Sequence, residues 1–350
     1  MYVFVWLALS PGVTALAVFP VSRALISKAH KLKLWRLDMS YLKNVRTIFL
    51  LVLILAVPGF AQAAAYSQLV AFGDSLSDTG NVFAVTGTPV PPYYDGNYSN
   101  GPVWVDRLAQ MLGLPQPMAS QTPLLPVNMG TNYAWGGART TITSNGIPST
   151  QTQVATYLGE VGGAADPNAL YTILTGGNDI NGFNGTSYGF PQLAADGMAV
   201  ALLANDLALA GAQHILVLNV PDLGLAPIAD GNEGFATFLT SSFNEALEGG
   251  LTALASPYVS FLDVFTTSQQ IAADPGAYGL TNVEDNCLVD TGGAGGAICD
   301  SYLFWDSLHP TAAGHELIAQ AAFAEVIPIP AAAWLFGSAL MGLLVIKRKR

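Results

Sequence analysis

Four short apolar runs, at residues 68–72, 169–174, 214–220 and 258–264, are spaced along this chain with helix-like stretches between them. Turn residues close the first three: Gly73, then Gly176-Gly177 after one intervening residue, then Pro221-Asp222. The runs are continuous instead of alternating, which is how strands buried on both faces read. Residues 103–112, 192–210, 234–255 and 311–323 carry helical patterning between or after them, the second Ala-rich and amphipathic. Strand and helix in alternation predict an α/β fold: a parallel sheet covered on both faces, in three α/β/α layers. Ligand and reaction sites in such sheets gather beyond the carboxyl ends of the strands. Residues 64–326 read as one such domain, without internal repeats.

Both ends of the chain read as addresses. Met39 opens a secretory signal over residues 39–63: Lys43 and Arg46 are its basic region, residues 48–57 its apolar region, and Ala61-Gln62-Ala63 its cleavage site. Residues 1–38 precede that signal with a further apolar stretch and a basic patch (Lys28, Lys31, Lys33, Arg36). They are read as an upstream leader with translation beginning at Met39, the alternative being one long leader. At the other end, Ile327-Pro328-Ile329-Pro330 leads into an apolar stretch at 331–346 and a terminal Lys347-Arg348-Lys349-Arg350 cluster. That order suits a short membrane helix whose basic end stays cytoplasmic.

Charge is segregated. Between residues 64 and 346 lie only two of the 13 Lys and Arg, Arg107 and Arg139, but 23 of the 24 Asp and Glu, a formal charge of −21. A body this acidic is repelled by nucleic acid and by anionic membranes. The two cysteines, Cys287 and Cys299, flank a Gly-rich loop with no histidine between them, so they do not make a zinc site. In an exported protein they read as a local disulfide worth about 3 kcal/mol; in the cytosol, as free thiols.

Four separated motifs carry chemistry. They are Gly73-Asp74-Ser75-Leu76-Ser77-Asp78, Asn132-Tyr133-Ala134-Trp135-Gly136-Gly137, Gly176-Gly177-Asn178-Asp179 and Asp306-Ser307-Leu308-His309-Pro310. Together they supply a hydroxyl, glycine amides, a carboxamide, and a carboxylate three residues before an imidazole. Acyl transfer needs these parts: a nucleophile, a base, an orienter for the base, and donors for the developing oxyanion. Each motif alone is weak; all four in order, two of them just past a predicted strand end, are specific.

The set resembles the GDSL-type, or SGNH, hydrolases across the whole domain, and residues 100–105 (Asn-Gly-Pro-Val-Trp-Val) resemble the secreted bacterial esterase, lipase and phospholipase branch. The resemblance implies the three-layer, flavodoxin-like fold with a central parallel sheet. It implies Ser75 as nucleophile, His309 as base and then acid, and Asp306 as its orienter. The Ser75 amide, the Asn178 side chain and the Gly137 amide (Gly136 as the alternative) form the oxyanion hole. Asp74 and Asp78 brace the loop, Pro310 starts the following helix, and His214 and His315 are structural. No metal or organic cofactor is implied.

The substrate expected is a carboxylic ester of a lipid or short acyl chain, and the alternative an O-acetylated exopolysaccharide; a non-catalytic surface protein is the third reading. The tail resembles the PEP-CTERM sorting signal of Gram-negative bacteria, although Ile-Pro-Ile-Pro lacks the usual Glu. It implies an exosortase-type protease and a signal peptidase as processing partners. The domain is then cell-surface, matrix or secreted, with the tail either cleaved or kept as an anchor. Nucleic acid is excluded as a partner.

Overall fold

The structure is a computed structural model that describes residues 2–10, 13–20, 66–121, 130–183 and 185–327. The chain divides into two compact units, Met1–Ala63 and Ala64–Arg350. In the first, β1 (Tyr2–Ser10) and β2 (Val13–Pro20) pair antiparallel. The signal expected at 39–63 lies outside the described residues, as does the tail from residue 328 onward.

In the second unit the apolar runs form β3 (Leu69–Gly73), β4 (Leu170–Leu174), β5 (His214–Leu218) and β6 (Val259–Leu262). They pair in parallel in that spatial order, with Leu69 opposite Leu170, Leu170 opposite His214 and Ile215 opposite Val259. The last run stops as a strand two residues early. Asp263 turns the chain by accepting the Thr266 N–H, and Val264 starts a helix.

The other edge of β3 is occupied too. Ala71 N–H donates to Thr131 O (3.0 Å), Tyr133 N–H to Ala71 O (2.8 Å) and Trp135 N–H to Gly73 O (3.1 Å). Residues 131–135 therefore extend the sheet on the side away from β4. The chain leaves β3 for one side and returns on the other, so the order reverses at β3, and a crevice opens beyond its carboxyl end.

Side chains alternate between two cores. Val70, Phe72, Tyr171, Ile173, Ile215 and Val217 face one layer, built by α3 (Thr150–Glu160), α5 (Phe190–Leu209) and α6 (Glu233–Leu254). Leu69, Ala71, Leu170, Leu174, Leu216 and Leu218 face the other, built by α2 (Trp104–Leu112) and α9 (Ala312–Val326). This is the three-layer arrangement expected from a doubly covered parallel sheet. The shorter helices are α1 (Asn81–Thr86), α4 (Gly177–Asn181), α7 (Val264–Ala273) and α8 (Cys287–Asp290).

Beside this body, β7 (Asn282–Asn286) and β8 (Tyr302–Phe304) form a small parallel pair. Cys287 and Cys299 are joined by a disulfide and are buried against Trp305. Pro310 does not start α9, as the sequence suggests: Thr311 is the cap, its side chain accepting the Gly314 N–H at 3.1 Å, and Pro310 pairs with Phe304 in an isolated bridge.

Candidate active site

The loop after β3 presents Ser75. Gly73 has φ +145°, and a Cβ there would lie 2.0 Å from the Leu174 carbonyl oxygen on the neighbouring strand, so only glycine lets the chain turn this tightly against β4. The turn closes with the Ser77 and Asp78 N–H groups on Asp74 O, both at 3.0 Å. No helix starts at Ser75; α1 begins six residues later. Asp78 is buried and organises the loop by accepting the Gly80 and Asn81 N–H groups at 2.8 and 2.6 Å.

The 305–309 loop arrives from β8. It is closed at its base by Trp305 N–H on His309 O (2.8 Å) and Thr311 N–H on Leu303 O (2.9 Å). Asp306 Oδ1 accepts the backbone N–H groups of Leu308 (2.8 Å) and His309 (2.7 Å), while Oδ2 lies 2.8 Å from His309 Nδ1. The carboxylate is an acceptor only, so Nδ1 carries the proton and Nε2 is bare. His309 Nε2 stands 2.8 Å from Ser75 Oγ. Burial pushes the Asp306 carboxyl up, but the hydrogen bond and charge of His309 and the two backbone donors outweigh it and hold the group below the usual carboxylate range. Serine, histidine and aspartate thus form one hydrogen-bonded line.

Two tyrosines complete this line and carry no local sequence signal. Tyr93 OH donates to Asp306 Oδ2 at 2.8 Å. Tyr98 packs its ring on His309, centroid to centroid 5.1 Å. Residues 93 and 98 sit in an aromatic-rich stretch (Phe83, Tyr93, Tyr94, Tyr98, Trp104) that in sequence reads as a lipid-binding loop or as core, not as a partner of Asp306 or His309.

Asn178, on the short helix α4, and the loop that carries Gly136 and Gly137 lock together. Asn178 Nδ2 donates to Ala138 O (3.0 Å), and buried Asp179 accepts both the N–H and the hydroxyl of Thr140 (2.9 Å each). The two glycines differ. The Gly136 N–H is committed to Asp78 Oδ2 at 2.8 Å, and a Cβ there would stand 2.3 Å from the Tyr98 ring. The Gly137 N–H and the Ser75 N–H have no hydrogen-bond partner among the described residues. One hydrogen of the Asn178 carboxamide is likewise left over.

An apolar cavity of about 80 Å³ opens from Ser75, Asn178 and His309. Leu76, Leu225, Val264, Ile271, Phe304 and Ile318 line it. Among the described residues no three His, Cys, Asp or Glu side chains are placed to share a metal ion. The remaining described histidines lie elsewhere. His315 is fully buried with Nδ1 accepting the Trp104 N–H (3.3 Å), and burial drives its pKa down to about 3. His214 starts β5 and packs edge-on to Tyr66.

The GDSL-like Lipase/Acylhydrolase family profile matches residues 69–322. An uncharacterized protein of the trpE-trpG intergenic region of Pseudomonas putida is 32% identical over 298 residues, 75% of this chain and 49% of that one. The phosphatidylcholine-sterol acyltransferase of Aeromonas hydrophila is 30% identical over 232 residues, 64% of this chain and 66% of that one. Esterase EstA of Pseudomonas aeruginosa is 32% identical over 305 residues, 74% of this chain and 46% of that one. The chain spans about half to two thirds of the length of these curated relatives.

Proposed function

The chain belongs to the GDSL-like lipase/acylhydrolase family, and on that premise we propose that it is a serine hydrolase of carboxylic esters that works through an acyl-enzyme. The observation that carries this is the unbroken line from Ser75 Oγ through the His309 ring to Asp306 Oδ2, both links at 2.8 Å. Ser75 Oγ attacks the ester carbonyl while its proton passes to His309 Nε2. Asp306 holds the imidazole in the tautomer that leaves Nε2 free and stabilises the imidazolium. The carbonyl oxygen becomes an oxyanion and rests on the Ser75 and Gly137 amides and the spare Asn178 hydrogen, the donors left uncommitted around the site. His309 then gives its proton to the departing alkoxide. Water attacks the acyl-Ser75 carbonyl with His309 again as base, releasing the acid and restoring the serine.

The acyl side of the substrate is an aliphatic chain. The cavity beside Ser75 is lined by Leu76, Leu225, Val264, Ile271, Phe304 and Ile318. That lining favours burial of methylene groups and offers few partners to sugar hydroxyls, so the reading favoured over an O-acetylated polysaccharide is a lipid or short-chain acyl ester. The Aeromonas relative's name, phosphatidylcholine-sterol acyltransferase, points the same way. A non-catalytic scaffold would not need the coupled serine, histidine and aspartate.

The protein acts outside the cytoplasm. The disulfide between Cys287 and Cys299 suits an oxidising compartment. With the signal expected at 39–63 and the sorting tail expected at 327–350, its processing partners are signal peptidase and an exosortase-type protease. The test is a panel of p-nitrophenyl esters from acetate to dodecanoate. Turnover should peak at intermediate chain length and vanish in Ser75→Ala, whereas near wild-type activity in that variant refutes the assignment.

A further inference from the structure

Four phenylalanines on this acidic body touch one another in a continuous chain at the surface. Phe183 lies 4.8 Å from Phe190 and 5.8 Å from Phe235, and Phe190 lies 5.7 Å from Phe238, centroid to centroid. Phe190, Phe235 and Phe238 are 44%, 50% and 53% exposed. Scattered exposed apolar side chains are ordinary, but a contiguous aromatic patch marks an interaction surface.

The patch borders the site. Phe183 follows α4, which carries Asn178. Phe235 and Phe238 stand on the first turns of α6. A Cβ on Gly224 would meet Glu233 O and Thr237 Oγ1 of that same helix end, so the cavity-lining residues Leu223 and Leu225 lie directly against it. Next to them Ile228, 52% exposed, donates its N–H to Ser307 O (2.8 Å), inside the loop that holds Asp306 and His309. Apolar side chains thus flank the cavity from the Asn178 side and from the His309 side.

We infer that this Phe183–Phe190–Phe235–Phe238 surface, with Ile228, docks the enzyme onto an uncharged or zwitterionic lipid surface, so that an ester drawn from it enters the cavity beside Ser75. The inference rests on the esterase reading above. Two observations choose the occupant. The three exposed rings offer about 300 Å² at roughly 200 Å² per aromatic side chain, well below the ~800 Å² per partner of a stable dimer. The charge excludes an anionic membrane. Arg107 is paired with Glu316 (3.6 Å) and Arg139 lies over the Tyr188 ring (5.1 Å). No other Lys or Arg lies between residues 64 and 346 to meet anionic headgroups.

The test uses the full chain, and because residues 331–346 read as a membrane helix its readouts are confined to the patch. In Phe238→Trp, brominated phosphatidylcholine vesicles should quench the added tryptophan emission relative to wild type. The triple variant Phe190→Ser/Phe235→Ser/Phe238→Ser should hydrolyse soluble p-nitrophenyl butyrate within about twofold of wild type yet lose at least tenfold on esters embedded in those vesicles. If the triple variant fails to fold, Phe235→Ser/Phe238→Ser carries the same comparison. An unquenched tryptophan, quenching only with anionic lipid, unchanged vesicle activity in the serine variants, or a solution dimer that those variants dissolve overturns the inference. In each of these cases wild-type turnover of the soluble ester leaves the esterase reading standing. A protein whose tryptophan is quenched but which hydrolyses no ester overturns that reading instead.

Discussion

Tyr93 OH donates a 2.8 Å hydrogen bond to the same Asp306 oxygen that faces His309 Nδ1. Asp306 therefore has four donors: two backbone amides on Oδ1, and an imidazole and a phenol on Oδ2. The phenol is held by Trp305, edge-on at 5.9 Å, and Trp305 packs on the disulfide. Tyr93 shares the charge of Asp306 and fixes its orientation. Tyr93→Phe keeps the ring contact and removes the donor. The carboxylate then draws harder on the imidazolium, and the acid limb of the kcat/KM profile moves to higher pH. The expected loss in kcat is about tenfold, the scale of one hydrogen bond to a charged group, with KM little changed. A pH profile superimposable on wild type would show that the phenol only packs.

Asn178 has one amide hydrogen on Ala138 O and one to offer. Asn178→Ala should lower kcat by about 10²–10³ with a modest effect on KM, the usual cost of removing one oxyanion donor. Steady-state kinetics on a soluble ester decide it; a change confined to KM would place Asn178 in ground-state binding.

Gly136→Ala should inactivate the enzyme for a steric reason. Its Cβ would stand 2.3 and 2.5 Å from two Tyr98 ring carbons and 2.6 Å from the hydroxyl, and that ring lies on His309. The expected result is a folded protein with kcat down by a factor of ten or more, rescued in part by adding Tyr98→Ala. A double variant that is still slower than Tyr98→Ala alone would mean that the ring is not the cause.

Stability should fall as pH rises from acid to neutral. Burial pushes Asp74 and Asp106 up to about 7 and Asp179 up to about 6. A carboxyl raised in the folded state contributes stability that is fully present below its unfolded value and is lost as pH rises through the folded one. Two groups work in the opposite direction: Asp306, held low, is lost only in strong acid, and buried His315, held down to about 3, takes back part of the gain below its ordinary value of 6.5, less than the three carboxyls together supply. Urea midpoints should be higher at pH 5 than at pH 8. Asp106→Asn, away from the reacting atoms, should narrow the gap. A higher midpoint at pH 8 in wild type contradicts this.

Replacing both Cys287 and Cys299 by Ser should cost about 3 kcal/mol of unfolding free energy, read from denaturant curves. Because Trp305 and Tyr93 pack on that cluster, kcat should fall with it. Full activity at reduced stability would separate the disulfide from the site.

The sheet was legible in the sequence because strands buried on both faces leave unbroken apolar runs, and the long helices because their patterning spans several turns. Residues 131–135 were not. They add to β3 through three backbone bonds, while polar Asn132 turns inward to Ser77 O and the Ala134 N–H, so no apolar run marks them. Helix α3 begins Thr-Gln-Thr-Gln, polar residues whose two threonines are weak helix formers and which form no apolar stripe, and the Ser149 cap fixes its start. Ser75, Asp306 and His309 announce themselves through motif and spacing, and the structure sets them in hydrogen-bond reach. The choice between Gly136 and Gly137 depends on which amide Asp78 takes, and Tyr93 meets Asp306 across 213 positions. Neither is a local property of the chain.

The central claim is that Ser75 is a nucleophile activated by His309. A fluorophosphonate probe followed by peptide mass spectrometry tests it most directly. The account predicts a single adduct on Ser75, with the labelling rate reduced at least about a thousandfold in His309→Ala. An adduct on another serine, or labelling of Ser75 at an unchanged rate without the imidazole, would contradict it.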